Sequence, residues 1–347
     1  EDTFAALFEA IAGAEKDLLV AYYVLKNDRV ETRFQEALME RARAGVKVRL
    51  LFDSVGSYSL PNESIKCLRE AGVEVASFGA RRRWHRFQIN FRNHRKLVVI
   101  DGRMGFTGGV NVGDEYLGRS EVFGHWRDTH LRLMGPSVAG LKLAFYDDWN
   151  WASGHFPELG PLPEPHSADV PCLIFPTGPA DRLASWQLFV MEAAASARER
   201  LWIASPYFVP DSAALAALQA AAMRGVDVRV MLPDKKDHLL VWLAGHSFYE
   251  ETIPHEVRLF RYENGFLHQK ALLVDNDVGY VGSANLDNRS LFLNFELGAI
   301  GCRESEIRQL VEMLEEDFTQ CRELSMEEFD GRSFAFKLAC RGARLFA

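Results

Sequence analysis

Residues 94–111 read HRKLVVIDGRMGFTGGVN, and residues 268–285 read HQKALLVDNDVGYVGSAN. The two stretches share one set of spacings: a lysine two positions after a histidine, an aspartate five positions after the lysine, and an asparagine ten positions after the aspartate. Residues two apart on a β-strand point to the same face, so each histidine is expected beside its lysine. Two such pairs supply the groups needed to attack a phosphodiester.

The doubled pattern resembles the His-x-Lys-x4-Asp motif, with a Gly-Gly/Ser-x-Asn tail, that marks the phospholipase D superfamily. A buried strand edged by polar residues would explain one copy equally well. It does not explain two copies that carry the same tail 174 positions apart.

The two halves of the chain also repeat outside the motifs. A helix-like segment followed by an apolar strand occurs at residues 4–24 and again at 185–209. RAGVKVRLL at 43–51 matches MRGVDVRVM at 223–231, and in both a helix ends at glycine before a β-branched strand. A tandem duplication accounts for this pattern.

Alternating strands and helices predict α/β domains, and the motif strands at 96–100 and 270–274 are continuous apolar runs typical of central, doubly covered strands. We expect two tandem phospholipase D-like α/β/α sandwich domains related by pseudo-two-fold symmetry, with a composite active site at their interface. Seven of the 13 prolines fall within 154–181, which predicts a connector. The predicted domains are residues 1–160 and 161–347.

The composition, 48% hydrophobic and 25% charged, is that of a globular protein, and no apolar run reaches the 18 residues of a membrane span. The chain begins at Glu1, so the sequence leaves open whether a targeting or anchoring segment precedes it. Five scattered cysteines predict free, mostly buried thiols in a reducing compartment. No zinc spacing accompanies the ten histidines, and His125 and His130 are interpreted as structural. No cofactor or metal is predicted.

The net charge of −8 argues against general nucleic-acid binding, and no nucleic-acid partner is expected. Residues 81–96, RRRWHRFQINFRNHRK, nevertheless carry seven Lys or Arg and no acid. This segment is either a solvated basic loop or an electropositive approach for an anionic substrate, with Trp84, Phe87 and Phe91 for apolar contact; we favour the second interpretation.

The tail after residue 330 places several apolar residues on one helical face. This face suits either a membrane-surface helix or a helix that packs on the core, and the sequence leaves both open. The apolar residues are Phe334, Leu338, Gly342, Leu345 and Phe346, with Lys337, Arg341 and Arg344 to one side.

The chemistry expected of this inventory is metal-free phosphoryl transfer. Lysines and amides would neutralise the phosphate oxygens, one histidine would attack phosphorus, and the other would protonate the leaving alcohol and then activate the acceptor. The histidines must begin in opposite protonation states and titrate as a coupled pair, which predicts a bell-shaped pH–rate curve.

Within the superfamily, the chain is similar to bacterial cardiolipin synthases over about residues 4–318. The similar stretches include HWRDTHLRLMGPSV, SPYFVPD, MLPDKKDH and ENGFLHQKALLVDN. The resemblance implies that one phosphatidylglycerol gives its phosphatidyl group to the enzyme and a second accepts it, yielding cardiolipin and glycerol. It also implies a membrane-surface partner and a location at the bacterial inner membrane, peripheral or through a segment missing from this chain. An oligomer is not required for the site.

Two alternatives remain at this point. A hydrolytic phospholipase D or other phosphodiesterase, including a nuclease, would share the phosphohistidine step and use water as acceptor. A non-catalytic lipid-binding protein would not need both histidines. The resemblance also implies an acid about thirty residues after each histidine, which predicts Glu296 as the partner of His268 and Asp128 as the partner of His94.

The sequence does not decide which histidine is the nucleophile, and the resemblance favours His94 weakly. The motif aspartates are assigned a structural role within the catalytic set. The predicted catalytic residues are His94, Lys96, Asp101, Asn111, Asp128, His268, Lys270, Asp275, Ser283, Asn285 and Glu296, and the predicted substrate-binding residues are Arg92, Arg95, Gly108, Gly109, Tyr207 and Gly282.

Overall fold

The structure, a computed structural model, describes residues 2–79, 90–158 and 171–346, except for the side chains of residues 304–306. The described residues form helices and strands in alternation. In the first half of the chain these are α1 Asp2–Ala12, β1 Asp17–Tyr22, α2 Arg29–Arg43, β2 Lys47–Asp53, α3 Asn62–Glu70, β3 Glu74–Phe78, β4 Arg92–Asn93, β5 Leu97–Ile100, β6 Met104–Gly108, β7 Trp126–Arg127, β8 His130–Met134 and α4 Val138–Ser153.

The second half of the chain repeats the alternation and adds helices at its end. Its elements are β9 Cys172–Thr177, α5 Ser185–Ser196, β10 Arg200–Ala204, β11 Phe208–Val209, α6 Ser212–Met223, β12 Asp227–Pro233, α7 Leu239–His246, α8 Tyr249–Thr252, β13 Arg258–Tyr262, β14 Phe266–Leu267, β15 Ala271–Val274, β16 Val278–Gly282, β17 Leu286–Asp287, α9 Asn288–Phe292, β18 Asn294–Gly301, α10 Glu304–Thr319, β19 Cys321–Glu323, α11 Met326–Asp330 and α12 Phe334–Arg344.

The chain forms two compact units, and each contains a short segment from the opposite half of the sequence. The first unit holds the chain up to Ser120, then His130–Pro176, and also Asn294–Ala299 from far downstream. The second unit holds Glu121–Thr129 together with Thr177–Leu293 and the chain from Ile300 onward. Each exchanged segment supplies an acid to the motif site of the unit that it joins.

The first unit is a six-stranded mixed sheet covered on both faces. Its strand order is β3-β2-β1-β5-β6-β8; β1, β2 and β3 run parallel, and β5 is antiparallel to β1. Along β1, Leu18 and Val20 pack with α1 and α2, whereas Leu19 and Ala21 pack with α4. Because both faces are buried, the strand reads as an unbroken apolar run.

The second unit repeats this arrangement. Parallel strands β10, β12 and β13 continue through antiparallel β15 and β16, and α5 and α6 cover one side of the sheet. Helix α10 packs against β13, β15 and β16. A glycine admits the covering helix in both units: a Cβ on Gly105 would lie 2.5 Å from Leu141, and one on Gly279 would lie 2.6 Å from Leu310.

The predicted α/β/α sandwich is confirmed for each unit, and the motif strands are buried throughout as β5 and β15. The boundary between residues 160 and 161 falls outside the described residues and stays a prediction. Strand β9 lies within the connector predicted over 154–181, of which residues 159–170 lie outside the described residues. Of the predicted basic segment 81–96, residues 81–89 lie outside the description.

All five cysteines lie in described residues and are free thiols. The expectation that most are buried is wrong: only Cys340 is buried, whereas Cys67 and Cys302 are exposed. Cys67 lies on α3, next to Leu68, which is the buried residue of this helix. Among the described residues, no helix combines the length and the apolarity needed to cross a membrane.

Candidate active site

The first motif site lies at the start of β5, in the first unit. His94 is nearly buried, and its Nδ1 lies 2.9 Å from Oε2 of Glu296. The main-chain N–H of His94 donates to the carbonyl oxygen of Phe295 at 2.9 Å. Both contacts depend on the parallel pairing of β4 with β18, which sets Phe295 opposite Asn93. The ring and the backbone of His94 therefore both bind to the dipeptide Phe295-Glu296.

The second motif site has the same construction in the second unit. Nδ1 of His268 lies 2.7 Å from Oδ2 of Asp128, and the His268 N–H donates to the carbonyl oxygen of Arg127 at 2.8 Å. Parallel pairing of β7 with β14 sets Arg127 opposite Leu267. The side chain of Asp128 is only 2% exposed, so its carboxylate depends on the histidine and neighbouring donors for stabilisation.

The predicted pairing of histidines and acids is therefore wrong. His94 pairs with Glu296, not Asp128, and His268 pairs with Asp128, not Glu296. The prediction assigned each histidine the acid that follows it along its own repeat. In the structure, each acid lies on the segment that has crossed to the opposite unit. Spacing along the chain contains no signal of this exchange.

In both sites Nδ1 is the ring nitrogen that faces the carboxylate, which favours the tautomer that carries its proton on Nδ1. Burial alone would raise the pKa of Asp128, but the charges of His268 and Lys270 and hydrogen bonds from His268 and Thr129 outweigh it. The pKa of Asp128 therefore lies below its usual value. An ionised Asp128 favours a protonated His268.

The two motif lysines are entirely buried beside their histidines. Nζ of Lys96 donates to the carbonyl oxygen of His94 at 2.5 Å, and Nζ of Lys270 donates to that of His268. Lys96 and Lys270 have 0% and 1% exposure. Buried ammonium groups next to each histidine provide the positive field that a phosphate requires.

The amide and glycine tail of each motif lies directly after β6 or β16. Asn111 accepts a hydrogen bond from the Val24 N–H at 3.1 Å and donates to the Tyr116 hydroxyl at 3.2 Å.

Asn285 is 4% exposed, and its Oδ1 has no hydrogen-bond partner in the described part of the chain. Ser283 is fully buried. Gly108 adopts φ 152°, and Gly282 donates to the Lys270 carbonyl oxygen at 3.2 Å.

The motif aspartates lie at turns. Asp101 and Asp275 adopt left-handed φ values of 51° and 50°. The carboxylate of Asp101 accepts main-chain N–H bonds from residues 15–17, and that of Asp275 accepts them from residues 198–200. Each aspartate thus fixes the loop that enters a central strand, which supports the predicted structural role.

Three predicted substrate-binding side chains have contacts of their own. The Arg92 guanidinium donates to the Phe91 carbonyl oxygen at 2.9 Å, and the Tyr207 hydroxyl donates to Asp237. Arg95 is 6% exposed and donates to the carboxylate of Asp148 at 2.9 Å and to the carbonyl oxygen of Glu296 at 3.0 Å.

Aromatic rings beside both histidines were missed by the sequence reasoning. The Tyr23 ring meets His94 edge-on at 4.8 Å between centroids, and the Trp126 ring lies 5.1 Å from His268. Trp126 immediately precedes the Arg127-Asp128 dipeptide, which was the only signal in the sequence. Tyr23 belongs to the apolar segment after β1 and gave none.

Two repeated α/β/α units, each with a histidine held by a buried carboxylate beside a buried lysine, define a phospholipase D-like protein. The sequence pattern described as "Cardiolipin synthase, PLD-like domain" matches residues 7–122 and 190–322. The chain belongs to this family.

Curated relatives agree with this assignment. The chain is 46% identical to "Cardiolipin synthase A" of Pseudomonas fluorescens over 99% of this chain and 72% of that protein. The identity to "Cardiolipin synthase A" of Pseudomonas putida is also 46%, with the same coverage.

Two solved structures share the fold at low sequence identity. Phosphatidylserine synthase of Haemophilus influenzae superposes with a TM-score of 0.70 at 14% identity, over 93% of this chain and 85% of that one. Polyphosphate kinase of Porphyromonas gingivalis superposes with a TM-score of 0.61 at 13% identity, over 99% of this chain and 51% of the other.

Proposed function

We propose that this protein is a phosphatidyltransferase that converts two molecules of phosphatidylglycerol into cardiolipin and glycerol. The observation that carries the proposal is the repeated histidine–carboxylate–lysine set. Each Nδ1 is engaged by a buried acid, at 2.9 Å in the first motif site and 2.7 Å in the second. The 46% identity to proteins named cardiolipin synthase A supports the choice of substrate.

In the first step, Nε2 of one histidine attacks the phosphorus of phosphatidylglycerol. The bond from phosphorus to the headgroup glycerol oxygen breaks, and the second histidine donates its proton to that oxygen as glycerol leaves. Lys96 and Lys270 stabilise the negative charge on the non-bridging oxygens. The product of this step is a phosphatidyl-histidine.

In the second step, the histidine that lost its proton removes one from the free headgroup hydroxyl of a second phosphatidylglycerol. The hydroxyl oxygen attacks phosphorus, the bond from phosphorus to histidine breaks, and cardiolipin forms. Charges and protons balance over the two steps, because the proton given to glycerol is recovered from the acceptor.

We propose His94 as the nucleophile and His268 as the acid and base. The resemblance to the family favours this order. Denaturing the reacting wild-type protein and mapping the adduct by mass spectrometry tests the order. A phosphatidyl group on His94 is expected, and none on any other residue.

The test of the function is to incubate the purified protein with phosphatidylglycerol vesicles and measure lipids and glycerol by mass spectrometry. Cardiolipin and glycerol in equal amounts are expected, with both lost in His94→Ala and in His268→Ala. Phosphatidic acid as the main product would show that water is the acceptor and would make the protein a hydrolase.

We propose that α12 brings the protein to an anionic lipid surface. Phe336 packs inward on Trp242 and His246, whereas Phe334 and Leu338 on the outer face are 81% and 60% exposed. Exposed apolar side chains on a helix that already buries its other face are typical of interfacial attachment. Because the chain is similar to bacterial proteins named cardiolipin synthase A, the expected location is the bacterial inner membrane.

Charge supports a lipid partner. Residues 331–346 contain four basic residues and no acid. Arg341 and Arg344 pair with Glu250 and Glu251, yet the Arg341 side chain remains 67% exposed. Apolar insertion is expected to supply most of the affinity, with a smaller contribution from anionic headgroups.

Vesicle sedimentation measures this attachment. Phe334→Ser combined with Leu338→Ser is expected to weaken binding to phosphatidylglycerol vesicles about tenfold or more, since burying each side chain is worth roughly 1.5–3 kcal/mol. Met223→Ser is the matched control, because Met223 is 74% exposed on α6. Unchanged binding of the double variant would contradict the attachment.

A further inference from the structure

Each motif site contains an arginine that donates to the acid's own carbonyl oxygen. In the first site, Nε of Arg95 donates to the carbonyl oxygen of Glu296 at 3.0 Å. In the second site, Nη1 of Arg127 donates to the carbonyl oxygen of Asp128 at 2.9 Å. The carboxylate of the acid meets the histidine while its main chain meets the arginine.

Both arginines are in turn held by an aspartate on a covering helix. Arg95 donates to Asp148 of α4 at 2.9 Å. Arg127 donates through two nitrogens to Asp317 of α10, at 2.6 and 2.7 Å. A guanidinium that meets both carboxylate oxygens has little rotational freedom, so its remaining N–H is aimed at a fixed point.

The same bond is built in two different ways. Arg95 directly follows its histidine, whereas Arg127 directly precedes its acid. The arginines therefore do not occupy matching places in the repeat, although α4 and α10 both cover the sheet of their unit. Two different arrangements in the sequence produce the same hydrogen bond. This indicates that the hydrogen bond is a requirement of the site itself.

Burial separates these pairs from surface ion pairs. Arg95 and Asp148 are 6% and 3% exposed, and Asn93 also donates to Asp148 at 2.7 Å, so the peptide is fixed on both sides of His94. Asp317 is 5% exposed. Buried ion pairs are poor sources of stability compared with apolar packing, so a positional role accounts for them better.

We propose that Asp148–Arg95 and Asp317–Arg127 are positioning pairs that hold the acid of each motif site at the distance its histidine needs. This rests on the proposed function for the reaction they serve. It also reassigns Arg95, which the sequence suggested as a substrate-binding residue. None of the four side chains is required to touch the substrate.

The kinetic test compares Asp148→Asn and Asp317→Asn with Asp227→Asn in the full chain. Asp227 pairs with Arg229 through two bonds of 3.0 and 2.8 Å and contacts neither histidine nor its acid. We expect kcat on phosphatidylglycerol to fall roughly 10- to 100-fold in the first two variants, with KM unchanged, because a small misplacement of a catalytic group costs about that much. The control is expected to retain its rate.

A second variant separates position from stability. Arg127→Met combined with Asp317→Leu removes both charges of the pair, of which Asp317 is buried and Arg127 is partly exposed, so the free energy of unfolding is expected to recover relative to Asp317→Asn. The carbonyl oxygen of Asp128 still lacks its donor, so kcat is expected to stay low. Recovery of kcat together with stability would overturn the proposal and leave the pair a merely structural role.

A readout without turnover keeps this inference distinct from the proposed function. In protein labelled with ¹⁵N at histidine, NMR reports which ring nitrogen carries the proton. Asp317→Asn is expected to change the Nδ1 signal of His268 and leave that of His94 unaltered, and Asp148→Asn the reverse. Unchanged signals in both variants would overturn the positioning role even if the protein acted on another substrate.

Discussion

At the scale of single residues, the motif aspartates show how the sequence pattern divides between chemistry and architecture. Asp275 is 8% exposed and bonded to three successive main-chain N–H groups. Burial raises the pKa of Asp275, but the bonds from Arg200, Glu199 and Arg198 outweigh it, and the pKa lies below its usual value. The carboxylate therefore stabilises the fold in its ionised form.

We expect Asp275→Asn to lower the free energy of unfolding by about 2 kcal/mol at pH 7, since an amide oxygen replaces a charged acceptor. A depressed pKa gives stability that is present above the unfolded value, about 3.9, and lost as pH falls through the folded one. The gap between wild type and variant should therefore shrink below about pH 4. Urea unfolding of both proteins at pH 7 and below about pH 4 measures this difference in the free energy of unfolding. An equal difference at the two pH values would contradict the charge-based explanation.

The corrected pairing gives a second expectation for single residues. Glu296→Gln and Asp128→Asn should each reduce kcat by about 10³-fold or more, as loss of the orienting carboxylate does in other histidine-based sites. Glu296→Gln should perturb the ring NMR signals of His94, and Asp128→Asn those of His268. If Glu296→Gln instead perturbed His268 and Asp128→Asn perturbed His94, the pairing expected from the sequence would be correct.

Much of the residue inventory could be predicted because it is local. His94 and Lys96 lie between β4 and β5, and Asn111 lies shortly after β6, so their spacing encodes their place in the site. The partners of the histidines could not be predicted, because a parallel bridge of two residues, such as β7 with β14, has no periodicity to detect. The role of Arg127 and Asp317 was invisible for the same reason, since 190 positions separate them.

At the scale of elements, α7 and α12 form a packed pair with an uncommon polar centre. His246 on α7 is 5% exposed; its Nδ1 lies 2.7 Å from the Trp242 carbonyl oxygen and its Nε2 lies 3.2 Å from the Arg261 guanidinium. Burial and the positive charge of Arg261 lower the pKa of His246 to about 3. Phe336 of α12 closes over the ring.

The neutral His246 makes this helix pair sensitive to acid. Its folded pKa lies below the unfolded value, so the unfolded chain binds the proton first and stability falls as pH drops below about 6.5. Between pH 6.5 and 5 the loss from this group should be about 2 kcal/mol. His246→Gln, which keeps a donor and an acceptor, should unfold with a correspondingly weaker dependence on pH. Identical pH profiles of the two proteins in thermal melts would exclude His246 as the cause.

The sequence left open whether the tail faces lipid or core, and α12 explains why. Its inner residues, Cys340 and Ala343, are buried, whereas Leu338 is exposed. An apolar face can be recognised from helical spacing alone, but a helix with apolar residues on both sides cannot be oriented without its neighbour.

At the scale of the whole molecule, neither half of the chain contains a complete motif site. Residues 1–160 include His94 and Lys96 without Glu296, and residues 161–347 include His268 and Lys270 without Asp128. The first unit also buries Leu297 in its core, a residue from far downstream. The covalent halves and the folded units are therefore different divisions of the protein.

Separate expression of residues 1–160 and 161–347 tests this. As monomers, both fragments should lack phosphatidyl transfer and melt below the full chain, because each loses a strand and its histidine loses an acid. Co-expression should restore activity, measured as cardiolipin formed from phosphatidylglycerol. A monomeric fragment that turned over the lipid alone would contradict the dependence.

The exchange of two short strands also bears on how such a gene can change over time. After a tandem duplication, one copy is ordinarily free to decay while the other keeps the activity. Here a deletion in either copy removes the acid that the other copy's histidine requires, so both copies remain under selection together. A mutation at position 128 or 296 alters the motif site whose histidine belongs to the opposite repeat. Compensating changes should therefore be sought in that repeat rather than nearby in the sequence.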